Sequence, residues 1–183
     1  MQPYQPIIPS KSVEQFEREQ FRRNSVVPQL WACLDHVKDP EIPALSLWDI
    51  GILKDIKLDN GQATVTITPT YSGCPAMDAI SEDITIAFRD IGIKNTTVIT
   101  ELSPAWTTQW MTDKGRAQLR DYGIAPPNDV IGDAKELNND TQVMCPHCKS
   151  DNTTLVSEFG STACKALFKC NTCHEPFDLF KHI

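Results

Sequence analysis

The sequence predicts a small α+β domain, its mainly antiparallel sheet covered by helices, followed by a separate metal-built module at the C-terminal end. Three observations carry that reading. A hairpin signal stands at Asp59-Asn60-Gly61-Gln62, apolar stripes recur at helical spacing on both sides of it, and two Cys-x-x-Cys pairs close the chain.

Residues 1–24 read as a flexible N-terminal tail. Pro3, Pro6 and Pro9 break any periodicity in its first half, while Val13 to Arg23 is charged, with Phe16 and Phe21 too sparse to fix a face; it is either a short docking helix or unordered. The α+β domain spans residues 25–125. Ser25 is placed to cap a helix with Pro28 in its first turn, and Val27, Leu30, Trp31, Leu34 and Val37 give it one apolar stripe. Pro40 and Pro43 stop that helix. Asn60-Gly61 tolerates the positive φ values of a type I′ turn, between Ile56 and Leu58 on one side and Ala63, Val65 and Ile67 on the other. Pro75 suits the first position of the next helix, whose stripe is Met77, Ile80, Ile84, Phe88 and Ile91. Thr96 to Leu102 is a β-branched run, hence a third strand. Thr112 can cap a last helix ending at Tyr122, with Gly123 as its left-handed terminator. Residues 126–142, with Pro126 and Pro127, read as a linker.

The final segment, 143–183, holds Cys145-Pro146-His147-Cys148 and, after twenty-one intervening residues, Cys170-Asn171-Thr172-Cys173. Each pair puts two thiolates on one tight turn, so joining the turns surrounds one ion with four sulfurs. That spacing suits the tetrahedral site of a zinc ribbon, with Cys145, Cys148, Cys170 and Cys173 as ligands. A rubredoxin-like iron, a labile cluster and disulfides are the competing readings. His147 and His174 lie in or beside the knuckles and could replace a sulfur, although four cysteines suffice.

Composition narrows the function. No run approaches the ~20 apolar residues of a membrane helix, and no hydrophobic leader follows a basic stretch, so a cytoplasmic protein is expected. Seven cysteines there point to metal or thiol chemistry. Residues 25–142 carry nine basic and seventeen acidic groups and supply the whole net charge of -7, whereas the ribbon carries four of each. A neutral ribbon beside an acidic domain makes a poor ligand for phosphate backbones, so the expected partner is a protein, not nucleic acid.

Cys74 is the position with most chemical interest. With Pro75 at the first helical position it becomes the cap residue, where the helix dipole and free N–H groups favour thiolate and should lower its pKa below the ordinary ~8.5. Gly73 leaves one side open for an approaching metal or sulfur. The plain alternative is a buried packing cysteine. Asp39-Pro40-Glu41-Ile42-Pro43 sets two carboxylates on a stiff turn, which by default are solvated. Cys33 reads as packing, as does Cys164, which could instead be a fifth thiol near the zinc or a transient cluster ligand; His36 and His182 show no partner, and Trp106 and Trp110 read as core.

Taken together, Asp39-Pro40-Glu41-Ile42-Pro43, Leu47-Trp48-Asp49-Ile50-Gly51-Ile52-Leu53 and Thr70-Tyr71-Ser72-Gly73-Cys74-Pro75-Ala76 resemble the signature of the SufT-like iron–sulfur assembly domain. The whole layout is similar to the PaaD family of phenylacetate degradation. Glu101-Leu102-Ser103-Pro104-Ala105-Trp106-Thr107-Thr108 and Ser157-Glu158-Phe159-Gly160-Ser161-Thr162-Ala163-Cys164-Lys165 extend that likeness through the ribbon. The resemblance implies an accessory protein without catalysis of its own. Its role would be maturation of an iron–sulfur or di-iron centre in the multicomponent phenylacetyl-CoA epoxidase. Its partners would be the epoxidase subunits or iron–sulfur assembly proteins. On this reading Cys74 handles iron or a transient cluster, Asp39 and Glu41 are secondary cofactor-binding candidates, and zinc is structural. One thiolate cannot hold a cluster alone, so a homodimer, Cys164 or a client's own cysteines must add ligands. A structural subunit of the same complex and a cysteine-dependent enzyme are the alternatives.

Overall fold

The computed structural model describes residues 12–127, 130–131, 137–138 and 140–183; the prolines of the first nine residues lie outside the described residues. Helix α1 (Val13–Arg23) is capped by the Ser12 hydroxyl, which accepts from the Gln15 N–H at 3.1 Å. Here the docking alternative holds, and an arginine achieves it. The Arg18 guanidinium donates to the carbonyls of Trp110 (2.7 Å), Leu53 (2.9 Å) and Gly51 (3.4 Å) and lies 4.5 Å over the Trp48 ring. Arg22 adds a two-pronged contact to Asp35 at 2.9 and 2.6 Å. Phe16 and Phe21 stay more than half exposed, at 55% and 52%.

Helix α2 (Pro28–Leu34) begins at its proline, but the Ser25 hydroxyl does not cap it: it accepts from the Val27 N–H and the Trp31 indole. Strands β1 (Leu53–Asp59) and β2 (Gln62–Ile67) form the expected antiparallel hairpin, with Asn60 at φ 47 and Gly61 at φ 80. Helix α3 (Met77–Asp90) follows, then β3 (Asn95–Thr100). Because α3 carries the chain back across the sheet, β3 adds parallel to β2, giving a mixed sheet in the order β1-β2-β3. Ile80, Ile84 and Phe88 bury their side chains; Ile91, one step beyond the helix, is half exposed.

Helix α4 (Asp113–Asp121) has Thr112 as its cap, the hydroxyl accepting from the Gly115 N–H at 2.9 Å, and Gly123 beyond it at φ 91. The buried Asp49 carboxylate fastens this end. It accepts from the hydroxyls of Ser46 and Thr112, each at 2.8 Å, and from Lys114 at 2.9 Å. These bonds outweigh its burial and hold its pKa below the usual carboxylate range. A β-carbon at Gly115 would stand 2.6 Å from the Asp49 carbonyl, so only glycine permits the approach.

The remaining strands are short β4 (Ile124–Ala125), β5 (Val130–Ile131) and β6 (Gln142–Val143), then β7 (Thr153–Ser157), β8 (Lys165–Cys170) and β9 (Pro176–Phe180). Strand β4 comes from the end of the α+β domain, yet it pairs parallel with β9, making one sheet in the order β4-β9-β8-β7. Cys164 and Phe180 of the ribbon pack into the main core, and the Phe180 ring lies 5.8 Å from that of Trp106. A second, smaller core around Phe168, Phe177 and Leu179 belongs to the ribbon itself.

Candidate functional site: a four-sulfur group and a thiol cluster between domain and ribbon

The two knuckles are built alike. Each is stopped by one left-handed residue immediately after its second cysteine: Lys149 at φ 64 and His174 at φ 66. The fold closes through the Lys149 N–H to the Cys145 carbonyl at 2.9 Å and the Cys170 N–H to the Glu175 carbonyl at 3.0 Å. The sulfurs of Cys145, Cys148, Cys170 and Cys173 all lie within 4.8 Å of one another, with 3.8 Å from Cys145 to Cys173 and 3.5 Å from Cys148 to Cys170. A regular tetrahedron with bonds of ~2.3 Å has edges of about 3.8 Å, so this donor set fits one zinc ion. His147 and His174 stay out of the group. Burial pushes the Cys170 thiol up, but N–H groups of Cys173 and Thr172 and the neighbouring thiols outweigh it and bring it to about 6. Cys173 is pushed up to about 12, against an N–H of Glu175, by burial and by the sulfurs already beside it. A first thiolate forms readily and a last one resists, until a dication screens them.

Cys74 stands two residues before the cap of α3, which is Ala76 with helix proper from Met77. Its expected acidity is overturned. Burial pushes its thiol up most strongly, a hydrogen bond from the Ala76 N–H pulls against it, and the charges of Glu41, Asp39 and Cys164 add to the rise. The local hydrogen bond favours thiolate, but burial of the sulfur is the larger effect and sets the sign.

Of those carboxylates Asp39 is buried, against the solvated default of the turn, and Glu41 is partly exposed. Asp39 is 4% exposed, and its Oδ1 accepts from the N–H groups of Glu41 and Ile42, both at 2.8 Å. Burial nevertheless raises its pKa, and Glu41 is raised by burial and by Asp39. Cys164, just before β8, is 4% exposed and lies 3.0 Å from the Thr162 hydroxyl. Burial raises its thiol too, with Glu41 and Asp39 adding to the effect. The Cys74 N–H donates to the Tyr71 carbonyl at 3.2 Å, and the Tyr71 hydroxyl is raised by burial and by the charges of Cys74, Glu41 and Cys164. Tyr71 and Cys74 pack against the core in which the ribbon's Cys164 is buried, and the charges of Asp39 and Glu41 act on both thiols. Lys165 is the cation that reaches these groups, and it also pairs with Asp178 at 3.4 Å. Tyr71 and Lys165 were missed by sequence reasoning, although each lies close to a cysteine within one of the family-like motifs.

Cys33 packs against the core with its sulfur 3.5 Å from the Ala87 carbonyl, away from this cluster. Trp106 is buried as expected and Trp110 is half-buried under α1. A groove of about 490 Å³ between α1, β1 and β2 is lined by Arg18, Phe21, Trp48 and Trp110 and includes none of the thiols.

Residues 28–98 match the family model described as an iron–sulfur cluster assembly protein, and residues 132–181 match the PaaD zinc beta ribbon domain. One relative, a protein of Escherichia coli (strain K12) named as a putative component of 1,2-phenylacetyl-CoA epoxidase, is 45% identical over 157 residues, which is 86% of this chain and 93% of that one. The chain belongs to the PaaD family. A Porphyromonas gingivalis protein named an Fe-S protein maturation auxiliary factor is 32% identical over 85 residues, 45% of the PaaD chain and 80% of its own length. The Bacillus subtilis Fe-S protein maturation auxiliary factor YitW is 29% identical over 92 residues, 49% of the PaaD chain and 89% of its own. Among the described residues, no helix of this PaaD chain is long and apolar enough to cross a membrane.

Proposed function

We propose that this protein is a non-catalytic maturation factor, working in the cytoplasm, for the iron–sulfur or di-iron centres of a multicomponent phenylacetyl-CoA epoxidase. Cys74 is the thiol that receives iron or a transient cluster, Asp39 and Glu41 make its surroundings attractive to a cation, and a structural zinc holds the ribbon. The observation that carries this reading is a half-buried thiol with two carboxylates whose burial raises every one of their pKa values. Such a group rests as S–H and gives up its proton when a dication arrives, because the same negative charges that oppose a bare thiolate favour the metal. A thiol nucleophile needs the reverse, a base or positive field that maintains thiolate. The name of the E. coli relative supports a second reading, a stoichiometric member of the epoxidase complex.

Replacing Cys74 separates the two. Cys74→Ser and Cys74→Ala should each lower the yield of active, metal-loaded epoxidase at least tenfold in cells lacking the wild-type copy. Thermal stability should stay within ~1 kcal/mol, since the cap of α3 is not this side chain. Full epoxidase metallation with either variant would remove Cys74 from the function. A structural role in the complex would then be measured as a stable, stoichiometric assembly.

A further inference from the structure

The groove beside α1 offers aromatic surface to a ligand while its cations are already occupied. Its volume of about 490 Å³ falls within the ~300–1,000 Å³ of ligand clefts. Arg18 spans two of its rings, 4.5 Å from the centre of Trp48 and 5.8 Å from that of Trp110, and its bonds to three carbonyls fix it between them. Trp110, half-buried, and Phe21, 52% exposed, supply the open surface. Lys54 is paired with Glu101 at 3.3 Å and Lys57 with Asp55 at 3.1 Å. Among the described residues the lining has four carboxylates against three cations, so it favours a neutral or basic ligand over an anion.

The chain carries such a ligand in residues 1–11, which run directly into the helix that walls the groove. Pro3, Pro6 and Pro9 stand at every third position, and polyproline II turns once in three residues, so that conformation sets all three rings on one side. Segments of this kind dock on aromatic-lined grooves because their extended backbone costs little entropy to order. Residues 1–11 contain no acid and one base, Lys11. The junction also suits it: the Ser12 hydroxyl donates to the Gln109 carbonyl at 3.3 Å, one residue before Trp110. Polyproline II from Pro6 to Lys11 reaches about 16 Å, whereas the α1 wall from Glu14 to Phe21 is only about 10 Å long. We propose that the groove is a recognition site for proline-rich extended peptide, and that residues 1–11 of the same chain are its occupant. A short tether holds them there at high effective concentration.

The test uses the full-length, zinc-loaded protein with fluorotryptophan at its four tryptophans, read by fluorine NMR. Making Pro3→Ala, Pro6→Ala and Pro9→Ala together should move the Trp110 signal and leave that of Trp106, which packs on Phe180, in place. A synthetic peptide of residues 1–11 should then bind the triple variant at least tenfold more tightly than the wild type, whose own segment competes. Adding Phe21→Ala to the triple variant should weaken the peptide several-fold, and the exposure of that ring lets the fold tolerate its loss. Zinc content and melting temperature check the fold of each variant. Wild-type signals that stay unchanged on dilution support an occupant from the same chain. Signals that shift with protein concentration put the segment in the groove of a second copy and overturn that assignment. An unmoved Trp110 signal, or equal peptide affinity for wild type and triple variant, refutes the docking.

Discussion

Replacing Arg18 by methionine tests what docks the first helix. The guanidinium makes two short bonds, to the carbonyls of Trp110 and Leu53, and a longer one to Gly51, while stacking on Trp48. Burial lowers its pKa only to about 10, so it is charged at neutral pH. Bonds to a charged donor are worth ~1.5–3 kcal/mol each and the ring contact ~0.5–2 kcal/mol, so the pairwise sum is about 4–8 kcal/mol. The observable loss must be smaller. Once the arginine is gone, α1 can lift away and let water reach the three carbonyls, which caps the cost at the docking free energy. With Phe16 and Phe21 largely exposed, that docking rests mainly on Arg18, the Arg22–Asp35 pair and the buried Gln15, and is about 2–4 kcal/mol. Hydrogen exchange is the assay. Amide protection in the last two turns of α1 should fall by roughly one to three orders of magnitude, while α3 and β2 keep theirs. Arg18→Lys should fall in between, because one ammonium cannot span three divergent carbonyls. Unchanged protection in Arg18→Met would mean that apolar contact holds the helix, and the reasoning would fail.

Removing the metal with a strong chelator should release one zinc per chain and unfold the ribbon; because β9 pairs with β4 and Phe180 fills the main core, the melting of the larger domain should also drop. Calorimetry showing an unshifted domain transition would contradict that. Asp49→Asn should cost about 2–3 kcal/mol by denaturant melts between pH 5 and 8, through lost charge-assisted bonds from Ser46 and Thr112, with little from the exposed Lys114. The Asp49 pKa is depressed on folding, so its contribution is present above the unfolded value of ~3.9 and disappears as pH falls through the folded one; the gap between wild type and variant should close in acid.

Features set by neighbouring residues were legible in the sequence. Asn60-Gly61 turns where its φ preferences require, Thr112 caps α4, and the four ribbon cysteines meet because their spacing leaves few other closures. What could not be read depends on distant partners. Phe16 and Phe21 gave no face to α1, and nothing in Arg18's surroundings along the chain announces three carbonyl acceptors. The parallel addition of β3 follows from how α3 crosses the sheet, not from the Asn95–Thr100 run. Cys74 is the clearest case: its place near a helix end was visible, but the sign of its pKa shift comes first from burial, with Glu41, Asp39 and Cys164 adding to it, and the sequence holds those residues far apart. Asp49 looked like one letter of a motif; its work is to tie α4 to the core.

The strand shared between β4 and β9 makes the chain's fate after synthesis depend on metal supply. Ile124 leaves the ribosome well before Asp178, so the rim at β4 waits unpaired until the ribbon has been made and its ion captured. A newly made chain short of zinc shows a bare strand edge and an unfilled Trp106 face at once. Both are surfaces that chaperones and proteases engage, so capture of the ribbon's metal acts as a quality checkpoint on the newly made chain.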